Sequence, residues 1–272
     1  MSERGAPAAR PARRRRQVRL RAVLPLLATL AAVVLFWELF IWLTGEPEYV
    51  LPPLHRILWT AIVLAPDRFL PAAWVTLQEM LLGFFWGVLV GLVLGTLIFQ
   101  SKILRRALLP IVISTQSIPV IAIAPILIQW FGFDMLPKII VTALIVFFPV
   151  AVNTIAGFNA VERDMINLMR SLGASSWQIF TRVRFPAALP FIFAGIKNAA
   201  AISAIGAIVG EWVGANEGLG PVMIAANAGF KTATVFAAIL YLGVMAVGLF
   251  LLVGLAERRA MPWHFLTRER RD

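Results

Sequence analysis

Along this chain, long apolar runs are separated by short polar and mostly basic interruptions. A helix that crosses a bilayer needs about 20 predominantly apolar residues. Six runs reach that length, at 22–43, 77–99, 107–131, 139–158, 187–210 and 232–256. The pattern predicts an all-α membrane protein with six transmembrane helices. It divides the chain into a tail at 1–21, a first membrane helix at 22–43, a linker at 44–76, a core at 77–260 and a tail at 261–272. The linker is punctuated by Pro47, Pro52, Pro53, Pro66 and Pro71, and its stretch 54–64 is amphipathic. Such a segment lies along a membrane surface with its apolar side inward. It reads first as a structural linker and second as a surface near substrate.

The spans differ in their internal pattern. The second carries Gly83, Gly87, Gly91 and Gly95. One glycine every four residues leaves a helix face without side chains, on which another helix can pack closely. The third span is interrupted by Pro110, Pro119 and Pro125, which free the carbonyls of Arg106, Thr115 and Ile121. In lipid, freed backbone groups must find partners or face a cavity. Beside the central break lie Ser114, Gln116 and Ser117. Gln116 at mid-membrane fits two readings, packing against protein and lining of a polar pathway. Asn153 in the fourth span, and Asn198 and Ser203 in the fifth, are further pathway candidates. Glu38 and Glu79 fall near span ends and are expected at the interface. Lys197 sits about 17 Å into the fifth span, at 1.5 Å per residue. It must snorkel, pair or face a polar cavity. After that span, Gly214, Gly218 and Gly220 mark turns, and VMIAANAGF predicts a short helix folding back at the outer face. Glu211 and Glu217 are expected near an outer mouth.

The interruption at 159–186 has a shape of its own. ERDMINLMRSLG predicts a short helix with Met165, Ile166, Leu168, Met169 and Leu172 as its apolar positions. Gly173 follows as a left-handed C-terminal cap. Ser175, with Gln178 three residues later, forms a capping box. It opens a second helix at 177–185, which leads through Pro186 into the fifth span. The apolar side of the first helix fits either a membrane surface or a cleft in a soluble partner.

Composition and charge narrow the choice. Hydrophobic residues make up 60% of the 272 and charged residues 14%, well below the roughly one quarter typical of soluble domains. The net charge of +11 does not mark a nucleic-acid binder, because the basic residues cluster between apolar runs. With both termini in the cytoplasm, 20 of the 25 Lys and Arg residues fall in cytoplasmic flanks, Lys102, Arg105, Arg106, Arg163, Arg170, Arg182 and Arg184 among them. Arg56, Arg68, Lys138 and Lys231 remain outside. Positive flanks stay in the cytoplasm, so this orientation is predicted, with 159–186 inside. The run 22–43 exceeds the roughly 7–15 residues of a signal-peptide core, and no small-x-small site follows it. It reads as a retained anchor. There is no cysteine, and His55 and His264 lie far apart, so no disulfide, thiol chemistry or metal site is expected. No P-loop, H-E-x-x-H or G-x-S-x-G motif occurs. The chain carries no ATP-hydrolysing or other catalytic set of its own.

These residues resemble the membrane-spanning subunits of binding-protein-dependent ABC importers. The family's loop before its fifth span follows E-A-A-x3-G-x9-I-x-L-P. Here Asn167, Leu168 and Met169 stand at E-A-A, Gly173 at the glycine, Val183 at the isoleucine, and Phe185 and Pro186 at L-P, with both spacings kept. Asn167 in place of the glutamate is the departure. QSIPVIAIAPILIQWFG and ERRAMPWH resemble the branch that imports sulfonates, taurine, nitrate and pyrimidine precursors of thiamine. GEWVGANEGLG is most similar to the thiamine-precursor and related heterocycle members. The resemblance covers 77–264.

What the resemblance implies is a type I importer permease core in spans two to six, with span one peripheral, in a bacterial inner membrane. It implies a homodimer around a substrate pathway, two cytoplasmic ATPase subunits that bind ATP and magnesium, and an extracytoplasmic substrate-binding protein. No cofactor is expected on this chain. The ATPase-coupling element is expected at Asn167, Leu168, Met169, Arg170, Gly173, Ala174 and Ser175, with Val183 and Pro186 closing the motif. The pathway candidates are Ser114, Gln116, Ser117, Asn153, Asn198, Ser203 and Glu211.

Other function classes compete on the residues alone. A stand-alone secondary transporter needs coupling-ion groups near mid-membrane and often an internal repeat. No clear repeat and few buried carboxylates are present. A membrane-embedded enzyme needs a clustered polar or metal-ligand set, which is missing. Lys197 is the only basic side chain deep in a predicted span, which disfavours a highly charged anion as cargo. The expected substrate is a small organic solute such as a thiamine-precursor pyrimidine or related heterocycle. A sulfonate, taurine or nitrate is the alternative.

Overall fold

The computed structural model describes residues 12–263, and among these the chain forms helices and no strand. His264 and the tail arginines Arg4, Arg10, Arg268, Arg270 and Arg271 lie outside the described residues. The helices are α1 (Ala12–Thr44), α2 (Leu54–Val63), α3 (Leu70–Gln100), α4 (Lys102–Ser114), α5 (Val120–Phe131), α6 (Met135–Asn159), α7 (Arg163–Ser171), α8 (Ser176–Ile179), α9 (Phe185–Gly214), α10 (Leu219–Ala228) and α11 (Thr232–Ala260). Among the described residues, stretches containing α1, α3, α6, α9 and α11 are long and apolar enough to cross a membrane, and α4 with α5 makes a sixth if counted as one span. The amphipathic stretch at 54–64 forms α2, and the short helix predicted after Gly220 is present as α10.

The third predicted span is not a straight helix. The chain bends by 99° between α4 and α5. Thr115–Ser117 forms a 3-10 turn, and Pro119 precedes α5 in an extended conformation. Pro110 and Pro125 remain inside α4 and α5. The break falls at Pro119 because proline offers no N–H and pushes Ile118 out of the helical region. Ile118 has ψ 120°. The Thr115 carbonyl is taken by the Ile118 N–H at 3.4 Å, within the turn itself. The second span also begins earlier than its hydropathy suggests, at Leu70, with a π turn at Ala65–Phe69 before it. Pro71 lies in its first turn, where no intrahelical donor is required. It starts the helix rather than punctuating a linker.

Helix α6 is the centre of the bundle, packed between α3 and α9. The glycine stripe of α3 meets it turn by turn. Gly83 faces Thr142, Gly87 faces Val146, Gly91 faces Val150 and Gly95 faces Thr154. The constant offset means the two helices run parallel in one register over four turns. On the other side, Gly195, Gly206 and Gly210 of α9 face Asn153, Thr142 and Lys138 in descending order, so α9 runs antiparallel. Small residues on both neighbours let backbones approach closely, which is how helices associate where lipid removes the hydrophobic difference between faces. Helix α1 stays at the edge, with Leu27, Leu30, Phe36 and Trp42 exposed. It touches the rest through the Trp37 indole, which donates to the Pro52 carbonyl at 3.2 Å and sits edge-on to Phe236.

Candidate functional site

The loop between α6 and α9 is built from local signals. Helix α7 ends in a left-handed glycine, with Gly173 at φ +77°. The Ala174 N–H donates to the Met169 carbonyl at 3.0 Å and the Gly173 N–H to the Arg170 carbonyl at 2.9 Å. This pair of bonds is the Schellman closure that lets a helix stop within one residue. The capping box then starts α8. The Gln178 N–H donates to Ser175 Oγ at 3.3 Å, and the Ser175 N–H donates to Gln178 Oε1 at 2.8 Å. The second predicted helix, 177–185, is not a separate element. It runs from α8 through a π turn at Phe180–Arg184 directly into α9. Pro186 explains the widened turn, because its ring crowds the carbonyl four residues back and offers no donor to it.

Two properties make this loop a candidate site. First, it exposes apolar side chains on both limbs of the glycine turn: Met165 and Leu168 on α7, Leu172 just after it, and Trp177 on α8. Asn167, Arg170 and Ser175 are exposed beside them, with Met169 and Ala174 half-buried. Second, it is joined to the spans by stacked rings. Trp177 stacks on Phe180 at 5.9 Å, Phe180 meets Phe158 of α6 at 5.4 Å, and Phe158 stacks on Phe99 of α3 at 4.9 Å. Close aromatic packing resists independent movement of its members. The rings thus connect the loop to α3 and α6 through continuous side-chain contact.

The polar candidates separate by exposure. Ser114, Gln116 and Ser117 are exposed at the α4–α5 break, and Asn198 is exposed on α9. Asn153 is half-buried, and its Nδ2 donates to the Pro149 carbonyl at 2.7 Å. Ser203 is fully buried, with its hydroxyl donating to the Ala200 carbonyl at 2.8 Å. Lys197 is paired, its Nζ 2.7 Å from Glu257 Oε2. Glu38 receives the His55 N–H at 3.3 Å, and Glu217 is exposed.

Glu79 and Lys138 lie elsewhere than expected. Both are buried inside the bundle. Glu79 is fully buried, and Lys138 Nζ sits 2.9 Å from its Oε1 between α3 and α6. Glu211 joins the cluster from α9, close enough to interact with both. Its carboxylate accepts from Thr76 Oγ1 and from the Gly220 N–H, while Thr76 Oγ1 accepts from the Leu219 N–H. One buried network thus holds α3, α6, α9 and the first turn of α10. The signal for it was present in the sequence. Glu79 continues the four-residue stripe of Gly83, Gly87, Gly91 and Gly95, so it shares their buried face.

The model of the family described as binding-protein-dependent transport system inner membrane component matches residues 87–261. The formylaminopyrimidine transport permease protein ThiX of Halalkalibacterium halodurans is 35% identical, over 85% of this chain and 92% of that protein. The riboflavin transport system permease protein RibX of Chloroflexus aurantiacus is 34% identical, over 86% and 88%. The taurine transport system permease protein TauC of Escherichia coli is 30% identical, over 88% and 89%. In fold, the chain is similar to the methionine ABC transporter MetNI in inward-facing conformations, with a TM-score of 0.58 at 22% identity over 70% of this chain and 93% of that one. The fold is that of a type I ABC importer permease, with partner ATPase and binding proteins implied by the family. The chain belongs to the binding-protein-dependent transport system inner membrane components, as a non-catalytic transmembrane permease subunit of an ABC importer.

Proposed function

We propose that the cargo of this importer is a small organic solute of the thiamine-precursor pyrimidine or related heterocycle class. Two relatives support it, since ThiX and RibX are named for a formylaminopyrimidine and for riboflavin. The observation that carries it is the state of the deep lysines. Lys197 is paired with Glu257 and Lys138 with Glu79. Among the described residues, no unpaired cation is left deep in the spans to attract a compact anion. Taurine or another sulfonate is the second reading, favoured by the likeness to TauC. Thermal shifts of the partner binding protein with thiamine-precursor pyrimidines, riboflavin, taurine, alkanesulfonates and nitrate separate the two. A shift with sulfonates alone overturns the first reading.

In this proposal two copies of the chain form a homodimer in the bacterial inner membrane, with both termini cytoplasmic. Each presents its loop, Asn167 to Ser175, to a cytoplasmic ATPase that binds ATP and magnesium. The exposed side chains of Met165, Leu168, Leu172 and Trp177 enter a cleft of that partner, and the ring stack passes its motion to α3 and α6. Ser114, Gln116, Ser117 and Asn198 line the pathway, with Asn153, Ser203 and Glu211 behind them. Gly173→Val tests the coupling element. No atom lies within 4 Å of a Cβ placed there, so the substitution acts through backbone strain of roughly 1–2 kcal/mol, and the spans stay folded. Loss of ATPase co-purification and of uptake is expected. Normal coupling in a correctly inserted variant sinks the assignment.

A further inference from the structure

Between the coupling loop and the end of α3 lies an open cavity of about 400 Å³. Phe99 of α3, Ile166 and Arg170 of α7, and Trp177, Phe180 and Arg184 line it. Two arginines therefore face one space. Among the described residues, neither has a carboxylate partner. Arg184 Nε is buried and makes no hydrogen bond, a costly condition for a guanidinium donor. The Arg184 guanidinium lies over the Phe99 ring, 4.9 Å from its centroid. Stacking holds the group in place and leaves its donors in their own plane. Lys102, Arg105 and Arg106 stand exposed on α4, which begins two residues after Gln100, another residue of the cavity wall. Cationic donors and an aromatic wall thus meet at the end of α3, and basic residues follow it in the chain.

We propose that this cavity holds the phosphate of an anionic phospholipid of the cytoplasmic leaflet. The step rests on the orientation proposed above. Arginine pairs with phosphate through charge-assisted bonds. Basic pockets between membrane helices on the cytoplasmic side suit anionic head groups, and aromatic rings suit that depth. A head group here bridges α7 to α3 and loads the coupling loop against the spans.

The test is native mass spectrometry of the full chain in non-ionic detergent, titrated with phosphatidylglycerol or phosphatidylcholine. The wild type is expected to retain phosphatidylglycerol in preference. Arg170→Gln with Arg184→Gln is expected to lower that retention about tenfold, as loss of two charged contacts implies. Lys231→Gln, beyond the opposite end of α9, is expected to leave it unchanged. Thermal unfolding checks each variant. Should the double variant fail to fold, Arg170→Gln alone, on an exposed position of α7, decides the matter by a partial loss. Equal retention by wild type and variant, or equal retention of phosphatidylcholine, overturns the proposal. Inorganic phosphate binding that depends on the same arginines and displaces the lipid assigns the cavity to a free anion and overturns it too. Lipid retention is read on the chain alone, so its failure leaves the coupling proposal standing.

Discussion

Replacing Gly91 by alanine is a stringent test of the bundle. A Cβ at that position would lie 2.6 Å from the Phe147 carbonyl oxygen and 2.8 Å from Val150 Cβ. Neither atom can swing aside, because one is backbone and the other is attached directly to it. Helices α3 and α6 must instead separate locally, which loosens the equally close contacts at Gly87 and Gly95. Overpacking of this kind costs about 1–3 kcal/mol, and contact with a backbone atom puts Gly91 at the upper end. Alanine recovers about 1 kcal/mol over glycine in a helix, so the net loss is about 2 kcal/mol. Gly243 of α11 supplies the control, because a Cβ there meets nothing within 4 Å. Gly243→Ala keeps the helix gain of about 1 kcal/mol without the clash. The two variants should differ by about 3 kcal/mol, or roughly 6–12 °C in unfolding midpoint for a chain of this size. Thermal unfolding of both proteins in one detergent measures the gap. A Gly91→Ala protein that unfolds at or above the wild-type temperature refutes the close α3–α6 contact.

The buried network and the helix break give further expectations. Lys138→Ala leaves Glu79 and Glu211 without their cation and should destabilise the fold by about 3–5 kcal/mol; Lys138→Met with Glu79→Gln should recover part of that loss in the same unfolding assay. Gln116→Leu should leave the unfolding midpoint near wild type, because the residue is exposed, yet impair uptake in reconstituted vesicles; unimpaired transport argues against a pathway role.

Some residues could be interpreted from the chain without a structure. The Schellman turn at Gly173 and the capping box of Ser175 with Gln178 depend on atoms within a few positions of each other, so local order specifies them. The break at Pro119 was legible for the same reason. Its angle was not, since 99° depends on how α4 and α5 settle against α3 and α6. The continuous helix through Pro186 was missed because a proline reads as a boundary, and a π turn is a way around it that composition does not announce.

Glu79 and Lys138 show where sequence reasoning stops. Hydropathy placed each near a membrane boundary by its distance from the end of an apolar run. Their pairing brings together residues of different helices, and the long helices of this bundle are apolar on nearly all sides. Lipid does not distinguish a face that packs from a face that does not, so the run itself carries little information about partners. By itself, the sequence determined which segments are long and apolar enough to cross a bilayer, the likeness to importer permeases and the local shape of the loop at 159–186, because hydropathy and capping bonds are local. Only the tertiary structure decided that α6 lies between two glycine-lined helices, that buried charges bind α3, α6, α9 and α10 into one unit, and that two arginines share a cavity behind the loop. Those follow from close contact between distant segments, where an ångström of approach outweighs the hydropathy of either one.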